Sequence, residues 1–272
     1  MSQGVNESMS QFNRIHFAHA NGFPARTYTK LFSFLEKDFS IDFLERHGHN
    51  PKFPVTDNWD FLRDELREAI ENNYSAPIIG IGHSLGGILH FLVACQKPEL
   101  YQQIILLDSP IISRLSSRGL QILKLAKLID RYSPSQMTRF RRNLWHSKTE
   151  AFEHFKQKPK FDAFDEDVLH DYIEYGTTET EKGIKLFFEP RIEAEIYRTI
   201  PHHLPKFLGK TSLPITYIGG TNSREGKLAR LGFMKKHFLT DFLQIEGSHL
   251  FPLESPQTTA EIIKQVIKNQ SK

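Results

Sequence analysis

The residues of this chain that could do chemistry are one serine, one late histidine and a few acids at the ends of apolar runs. Gly80-Ile81-Gly82-His83-Ser84-Leu85-Gly86-Gly87 holds Gly-x-Ser-x-Gly at Gly82, Ser84 and Gly86. An apolar run, Ala76–Gly82, precedes it and an apolar helical stretch, Leu85–Cys95, follows. A serine on a tight strand-to-helix turn is held in a strained conformation with its Oγ lifted above the sheet, so the residues two away must be small. The Leu85 N–H at the helix start then points at a developing oxyanion. A plain Gly-rich turn with an N-capping serine is the competing explanation. A phosphate loop fits less well, because no Lys follows at the P-loop spacing.

A serine nucleophile needs a base. His249 lies in Glu246-Gly247-Ser248-His249-Leu250-Phe251-Pro252, just past the last predicted strand. His83 and His19 compete but are better explained as packing or orienting their own loops. A second oxyanion donor is expected after the first strand, and His19-Ala20-Asn21-Gly22-Phe23-Pro24 fits. Gly22 permits a tight turn, and Phe23 offers the last N–H before Pro24, which has none. An ordinary Asn-Gly turn is the simpler account of the same residues.

These groups must be carried by elements that bring them together. Strands are expected at Arg14–Ala20, Phe39–Leu44, Ala76–Gly82, Gln103–Leu107, Leu213–Ile218 and Asp241–Ile245, after a loose tail over residues 1–13. Helices are expected at Thr27–Leu35, Asn58–Glu71 (capped by Asp57 or Asn58), Leu85–Cys95, near Gly226–His237 and at Thr258–Lys268. Strands alternating with helices predict an α/β fold, a mostly parallel, doubly wound sheet with right-handed crossovers. Parallel strands put all their C-terminal ends on one edge. Ser84, Asp108 and His249 each follow a strand, so all three fall there.

From Ile111 to about Pro205 no clear strand recurs, and Leu120, Leu123, Leu125 and Leu128 can supply a helical apolar face. Residues 1–110 and 206–272 therefore read as one core domain interrupted by a helical lid over residues 111–205. Residues 111–160 hold twelve Lys/Arg against three Asp/Glu, and residues 161–200 hold four against eleven. Two solvated helical layers that attract each other explain this, and an anion-binding patch in the first half is the sharper alternative. The large apolar groups Phe23, Leu120, Phe140, Trp145, Phe187, Phe188, Tyr197 and Phe251 are lid core or pocket wall.

The whole pattern resembles the α/β-hydrolase superfamily, specifically its lid-bearing serine esterase-like branch. The resemblance rests on His19–Pro24, Gly82–Gly86 and Gly247–His249 in the family's chain order, and covers residues 14–110 and 206–272. It implies a Ser–His machinery that cleaves an ester or related acyl bond through an acyl-enzyme. Ser84 would be nucleophile, His249 base, and the Phe23 and Leu85 N–H groups the oxyanion hole. Epoxide hydrolases and haloalkane dehalogenases share this fold but use Asp as nucleophile, so Ser84 argues against both. Two features depart from the family. Its first two antiparallel strands have no counterpart before Arg14, and its usual acid position, in Gly219-Gly220-Thr221-Asn222-Ser223-Arg224-Glu225, is occupied by Ser223. Asp108, at a strand end where some members place their acid, is the first candidate and Glu225 the second; a dyad without a strong acid is the third.

Carbon–carbon bond hydrolysis of a vinylogous diketone is the nearest enzymatic alternative, and a perhydrolase side reaction is conceivable. A non-catalytic hydrolase-fold binding protein is the alternative from another class. No cofactor is expected: there is no Cys/His cluster and no H-E-x-x-H or H-x-x-E-H spacing.

Composition bounds the rest. The chain has 272 residues, 39% hydrophobic and 25% charged, which excludes a disordered chain. A net charge of +3 is too little to argue for nucleic acid. The apolar runs are too short to span a bilayer. The first ten residues have no basic n-region or apolar h-region, so nothing suggests export. A single cysteine, Cys95, rules out an intrachain disulfide and fits a reducing cytoplasm. The expected partner is a small-molecule substrate, with no nucleic acid or membrane, and the chain is expected to act as a monomer or homodimer.

Overall fold

The computed structural model describes residues 14–229 and 231–270; the expected tail over residues 1–13 lies outside them. Six strands form one sheet: β1 (Arg14–Ala18), β2 (Ser40–Phe43), β3 (Ile78–His83), β4 (Tyr101–Leu107), β8 (Ile215–Gly220) and β9 (Asp241–Ile245). Their order is β2-β1-β3-β4-β8-β9, and every neighbouring pair is parallel. Among the described residues no strand precedes β1.

The alternation of side chains along each strand divides the core in two. Phe17, Ile79, Ile81, Ile105, Leu107, Ile218 and Ile245 face the layer of Thr29–Leu35 and Pro256–Gln270. Ile78, Ile104, Leu106, Ile215 and Tyr217 face the layer of Asp60–Asn73 and Leu85–Gln96. Both faces are covered, which is why β3 and β4 read as continuous apolar runs rather than alternating ones. The helix Leu85–Gln96 is itself buried over ten of its twelve residues, so it is apolar all round.

The Asp60–Asn73 helix differs at its start. Neither Asp57 nor Asn58 caps it; Trp59, at φ 60°, takes that place with no side-chain cap. Asn58 Oδ1 instead accepts the His202 N–H at 2.9 Å, and Asp57 pairs with Lys124. Tertiary partners across the chain outcompete the local cap.

Between β4 and β8 the chain leaves the sheet, and the expectation of an all-helical segment there is corrected. Helices Arg114–Leu125, Lys148–Lys156, Glu166–Gly176 and Pro190–Arg198 are joined by a small antiparallel sheet. Its strands are β5 (Leu144–Trp145), β6 (Thr177–Thr180) and β7 (Gly183–Leu186), in the order β5-β7-β6. β6 and β7 form a tight hairpin with Gly183 at φ +117°, a backbone state that glycine reaches without steric cost. The leucine face expected on Arg114–Leu125 is also corrected: this helix buries no residue, and Leu125 and Leu128 are 77% and 43% exposed. Phe140, a candidate pocket wall, is 77% exposed. No helix among the described residues is long and apolar enough to cross a membrane.

Candidate active site

Three loops at the C-terminal ends of β3, β4 and β9 meet at the sheet edge. Ser84 follows β3 at φ 53°, ψ −109°, a backbone state that non-glycine residues rarely adopt. The neighbouring glycines are needed sterically. A Cβ on Gly82 would lie 2.3 Å from the Gly86 carbonyl carbon, and one on Gly86 would lie 2.0 Å from Ala18 O. Ser84 N–H donates to Leu107 O at 2.9 Å, which ties the turn to β4.

A continuous hydrogen-bonded run leads away from the serine. His249 Nε2 is 3.0 Å from Ser84 Oγ, and His249 Nδ1 is 2.6 Å from Asp108 Oδ2. Asp108 is fully buried and sits at φ 43°. Its two oxygens accept from four groups: Tyr217 Oη at 2.9 Å, Gly220 N–H at 3.3 Å, Ser223 Oγ at 2.5 Å and His249. Burial works to raise this carboxyl's pKa, but the hydrogen bonds and charge of His249, with Ser223 and Tyr217, hold it below the ordinary value.

Ser223 thus has a definite place. It stands where the resemblance leads one to expect a carboxylate, and its hydroxyl donates instead to the Asp108 carboxylate at the end of β4. Neither Ser223 nor Tyr217 is recognisable as a site residue from sequence; a serine where a carboxylate is expected was the one available signal. Glu225 Oε2 lies 3.8 Å from His249 Nδ1, farther than Asp108, with 47% of its side chain exposed. Asp108, Glu225 and His249 are also the only three acidic or imidazole groups among the described residues that could share a metal ion. Asp108 already spends its lone pairs on the four donors above, so the set is poorly suited to a cation.

The two remaining histidines of these loops are neutral supports. His83 is buried, with Nδ1 2.7 Å from Tyr28 Oη and Nε2 2.8 Å from the His249 carbonyl oxygen. Burial, then the neighbouring His249, pushes its pKa down to about 3. His19 Nδ1–H donates to Ala20 O at 2.9 Å while Nε2 accepts the His47 N–H at 2.9 Å. That pair of bonds fixes its tautomer and the loop shape. Burial holds its pKa well below the usual range.

The two expected oxyanion donors differ. Leu85 opens a helix, and a first-turn N–H has no helical acceptor. The expectation that Phe23 N–H is free is corrected: it donates to Ala20 O at 3.1 Å across a turn whose Gly22 is at φ +83°. This donor is available to a ligand only as a shared one.

The segment between β4 and β8 packs on the Phe23 loop. The Phe23 ring, 3% exposed, lies 5.3 Å from Tyr172, 6.2 Å from Phe164 and 6.3 Å from Phe161. Asn21 Nδ2–H donates to Glu193 O at 3.0 Å. Trp145 is one ring removed from this contact: it packs on His154 and Phe155, and Phe155 in turn packs on Phe161 and Tyr172.

Comparisons with known proteins bear on family and fold. A sequence profile described as "Alpha/beta hydrolase family" matches residues 17–262. A monoglyceride lipase of Mus musculus is 22% identical over 264 residues, covering 93% of this chain and 80% of the lipase. Among solved structures, E-2-(acetamidomethylene)succinate hydrolase superposes with TM-score 0.74 at 18% identity, covering 94% of this chain and 91% of that one. An esterase of M. tuberculosis superposes with TM-score 0.69 at 16% identity, covering 95% and 86%.

Proposed function

This chain belongs to the alpha/beta hydrolase family, and on that premise we propose that it is a serine hydrolase cleaving an ester or related acyl bond of a small, partly apolar molecule. The observation that carries the reading is the run Ser84–His249–Asp108, with 3.0 Å and 2.6 Å contacts at one sheet edge. A strained serine, a base in hydrogen-bond reach and a third group orienting the base are the signature of an activated nucleophile.

The chemistry follows from these positions. Ser84 Oγ bonds to the substrate carbonyl carbon as its proton passes to His249 Nε2. The carbonyl electron pair moves onto oxygen, which takes hydrogen bonds from Leu85 N–H and the shared Phe23 N–H. Collapse of the tetrahedral species breaks the bond to the leaving alcohol, which takes the proton from His249 Nε2. Water then attacks the acyl-enzyme, again losing its proton to His249, and the acid departs as Ser84 Oγ recovers its hydrogen. Asp108 stays ionised throughout; it holds Nδ1–H and stabilises the imidazolium.

Residues 111–205 act in this reading as a lid whose walls choose the acyl group. The contact of Tyr172, Phe161 and Phe164 with Phe23 supports this, since it lies beside the oxyanion loop. A small-molecule substrate, a cytoplasmic setting and a monomer or homodimer complete the proposal. A fluorophosphonate probe tests it: unaltered protein should be labelled stoichiometrically and Ser84→Ala not at all. Absence of labelling in the unaltered protein would point to the non-catalytic alternative.

A further inference from the structure

The insertion turns an apolar face to solvent. Among the described residues, eight of the ten large hydrophobic side chains that stand exposed fall in one stretch, residues 115–144. Leu115, Ile122, Leu125, Tyr132, Met137 and Phe140 are each 64% to 82% exposed, so they protrude rather than lie flat. At about 100° per residue, Arg114, Leu115, Arg118, Ile122 and Leu125 share an arc of about 100° on helix Arg114–Leu125. Ser117 and Lys124 lie outside that arc and tie the helix down. The Ser117 hydroxyl donates to His202 O, and Lys124 Nζ donates to Ile200 O at 2.7 Å. These anchors hold the apolar arc outward, the reverse of a helix that covers a core.

The same stretch is basic. Residues 114–144 hold eight Lys/Arg and one acid, Asp130. Lys124, Arg141 and Arg142 are matched by Asp57, Glu193 and Glu150. Asp130 is itself taken by Arg198 at 3.0 Å. The other five, Arg114, Arg118, Lys127, Arg131 and Arg139, are exposed and form no ion pair among the described residues. An open cavity of about 530 Å³ joins the end of helix Arg114–Leu125 to helix Ser135–Arg139. Lys127, Leu128, Arg131, Arg139 and Phe140 line it, with Arg191 from helix Pro190–Arg198.

An apolar patch of this extent marks an interaction site, and the charges decide with what. A second copy laid on this face by two-fold symmetry would set five free cations against five. Nucleic acid would meet the cations and leave the aliphatic chains in water. A fluid lipid layer needs no socket matched to each protruding side chain. Aliphatic groups enter its acyl boundary while Lys and Arg stay at the level of the headgroup phosphates. We propose that this face of the insertion docks on an anionic lipid surface. Leu115, Ile122, Leu125 and Met137 enter it, and Lys127, Arg131 and Arg139 draw a headgroup phosphate into the cavity. The expectation of no membrane partner rested on the lack of a spanning segment, and docking of this kind needs none.

Docking is separate from acyl transfer, so it is read on Ser84→Ala, in which no lipid is consumed. The assay is co-sedimentation with vesicles of phosphatidylcholine and phosphatidylserine, against vesicles of phosphatidylcholine alone. The mixed vesicles should be bound at least about tenfold more tightly than the neutral ones, and physiological salt should weaken that binding relative to low salt. Lys127→Gln, Arg131→Gln and Arg139→Gln together should erase the preference. Ile122→Ser, Leu125→Ser and Met137→Ser together should weaken binding to the mixed vesicles by at least about tenfold. Both sets replace exposed side chains, and unchanged thermal unfolding verifies that the variants fold. Phe61→Ser with Leu228→Ser, exposed apolar residues outside this face, should leave binding as it was. No binding to the mixed vesicles overturns the proposal. A dimer lost in the apolar triple variant would then give the face to a second copy, and capture by polyglutamate would give it to an acidic protein. Vesicle binding that is indifferent to the apolar substitutions, or equally strong without phosphatidylserine, overturns it as well.

Discussion

Asp108→Asn is the substitution from which the proposed mechanism has most to lose. The carboxylate accepts four hydrogen bonds and donates none. An asparagine has one acceptor oxygen and an NH2 that only donates. With its oxygen turned to Tyr217 and Gly220, the NH2 faces Ser223 and His249 Nδ1. The serine hydroxyl can rotate to accept, but the imidazole can accept only by moving its proton to Nε2. That tautomer presents a hydrogen to Ser84 Oγ in place of a lone pair, so the base is lost although every atom stays in place. The equivalent change in serine triads costs a factor of about ten thousand, or about 5 kcal/mol at 1.36 kcal/mol per decade. Glu225 cannot make this good, because it is 3.8 Å from Nδ1 and about half exposed to solvent. Glu225→Gln should therefore cost less than about threefold, in keeping with the small worth of exposed charges. Steady-state kcat/KM on one neutral 4-nitrophenyl ester, with circular dichroism to verify folding, is the assay. A loss below tenfold for Asp108→Asn, or a larger loss for Glu225→Gln, would refute the reasoning.

Ser223→Ala removes one of four donors to Asp108, and kcat should fall about tenfold with KM steady, because a charge-assisted bond that holds the acid is gone; no change in kcat would mean that Ser223 is a bystander. Gly86→Ala should prevent folding or solubility, since its Cβ would lie 2.0 Å from Ala18 O, whereas Gly119→Ala on the exposed Arg114–Leu125 helix meets nothing within 4 Å and should stabilise by roughly 0.5–1 kcal/mol in urea titration. Trp145→Ala should cost about 3–5 kcal/mol of stability and leave chain-length preference as it was, because the ring is buried against Phe155; Phe161→Ala, beside Phe23, should shift that preference toward longer acyl groups. Acidification should destabilise the fold below pH 6.5. His16, His19, His83 and His90 are buried with pKa values lowered chiefly by burial, two of them to about 3. The unfolded chain binds protons there that the folded chain refuses, so their stabilisation is complete above pH 6.5 and is lost as pH falls toward 3. Unfolding at pH 5 should take up at least about four protons more than at pH 8, since His49, His154, His202 and His203 are lowered as well, read from the pH slope of the unfolding free energy; a flat slope would contradict the neutral assignments.

The core sheet could be read from sequence because its strands are buried on both faces and its turns are spelled by residues with few alternatives. Ile78–His83 runs into Ser84 between glycines that sterics demand, and Asp241–Ile245 is bounded by polar residues at both ends. Ser84, Asp108 and His249 fall together once parallel strand ends share an edge, which needs no knowledge of side-chain contacts. The insertion resisted for the opposite reason. β5 has two residues, and β6 is Thr177-Thr178-Glu179-Thr180, whose polar side chains give no period-two apolar signal. Leu115, Ile122 and Leu125 mimic a buried stripe in helix Arg114–Leu125, yet remain at the surface because no neighbouring element covers them. Ser223 and Tyr217 were hidden because their role is defined by Asp108, which is 109 to 115 residues away along the chain.

The parallel pairing of β4 with β8 also sets an order in time. Ile104 pairs with Ile215, so β4 has no partner on that edge until the whole insertion has been synthesised. His249 follows Ser84 by 165 residues, and translation at about 5–20 residues per second separates their emergence by roughly 8–33 s. Within that interval, from the synthesis of Leu107 until that of Ile215, the nascent chain carries Ser84 without His249, and an apolar strand, Ile104–Leu107, with one row of backbone groups open. An unpaired strand edge of that kind is a template for aggregation. The insertion emerges in the same interval with an aromatic cluster of its own around Trp145, Phe155 and Tyr172. A ribosome stalled before residue 215 would therefore present a sticky edge and an inert serine, and termination there should yield insoluble product rather than a weakly active fragment.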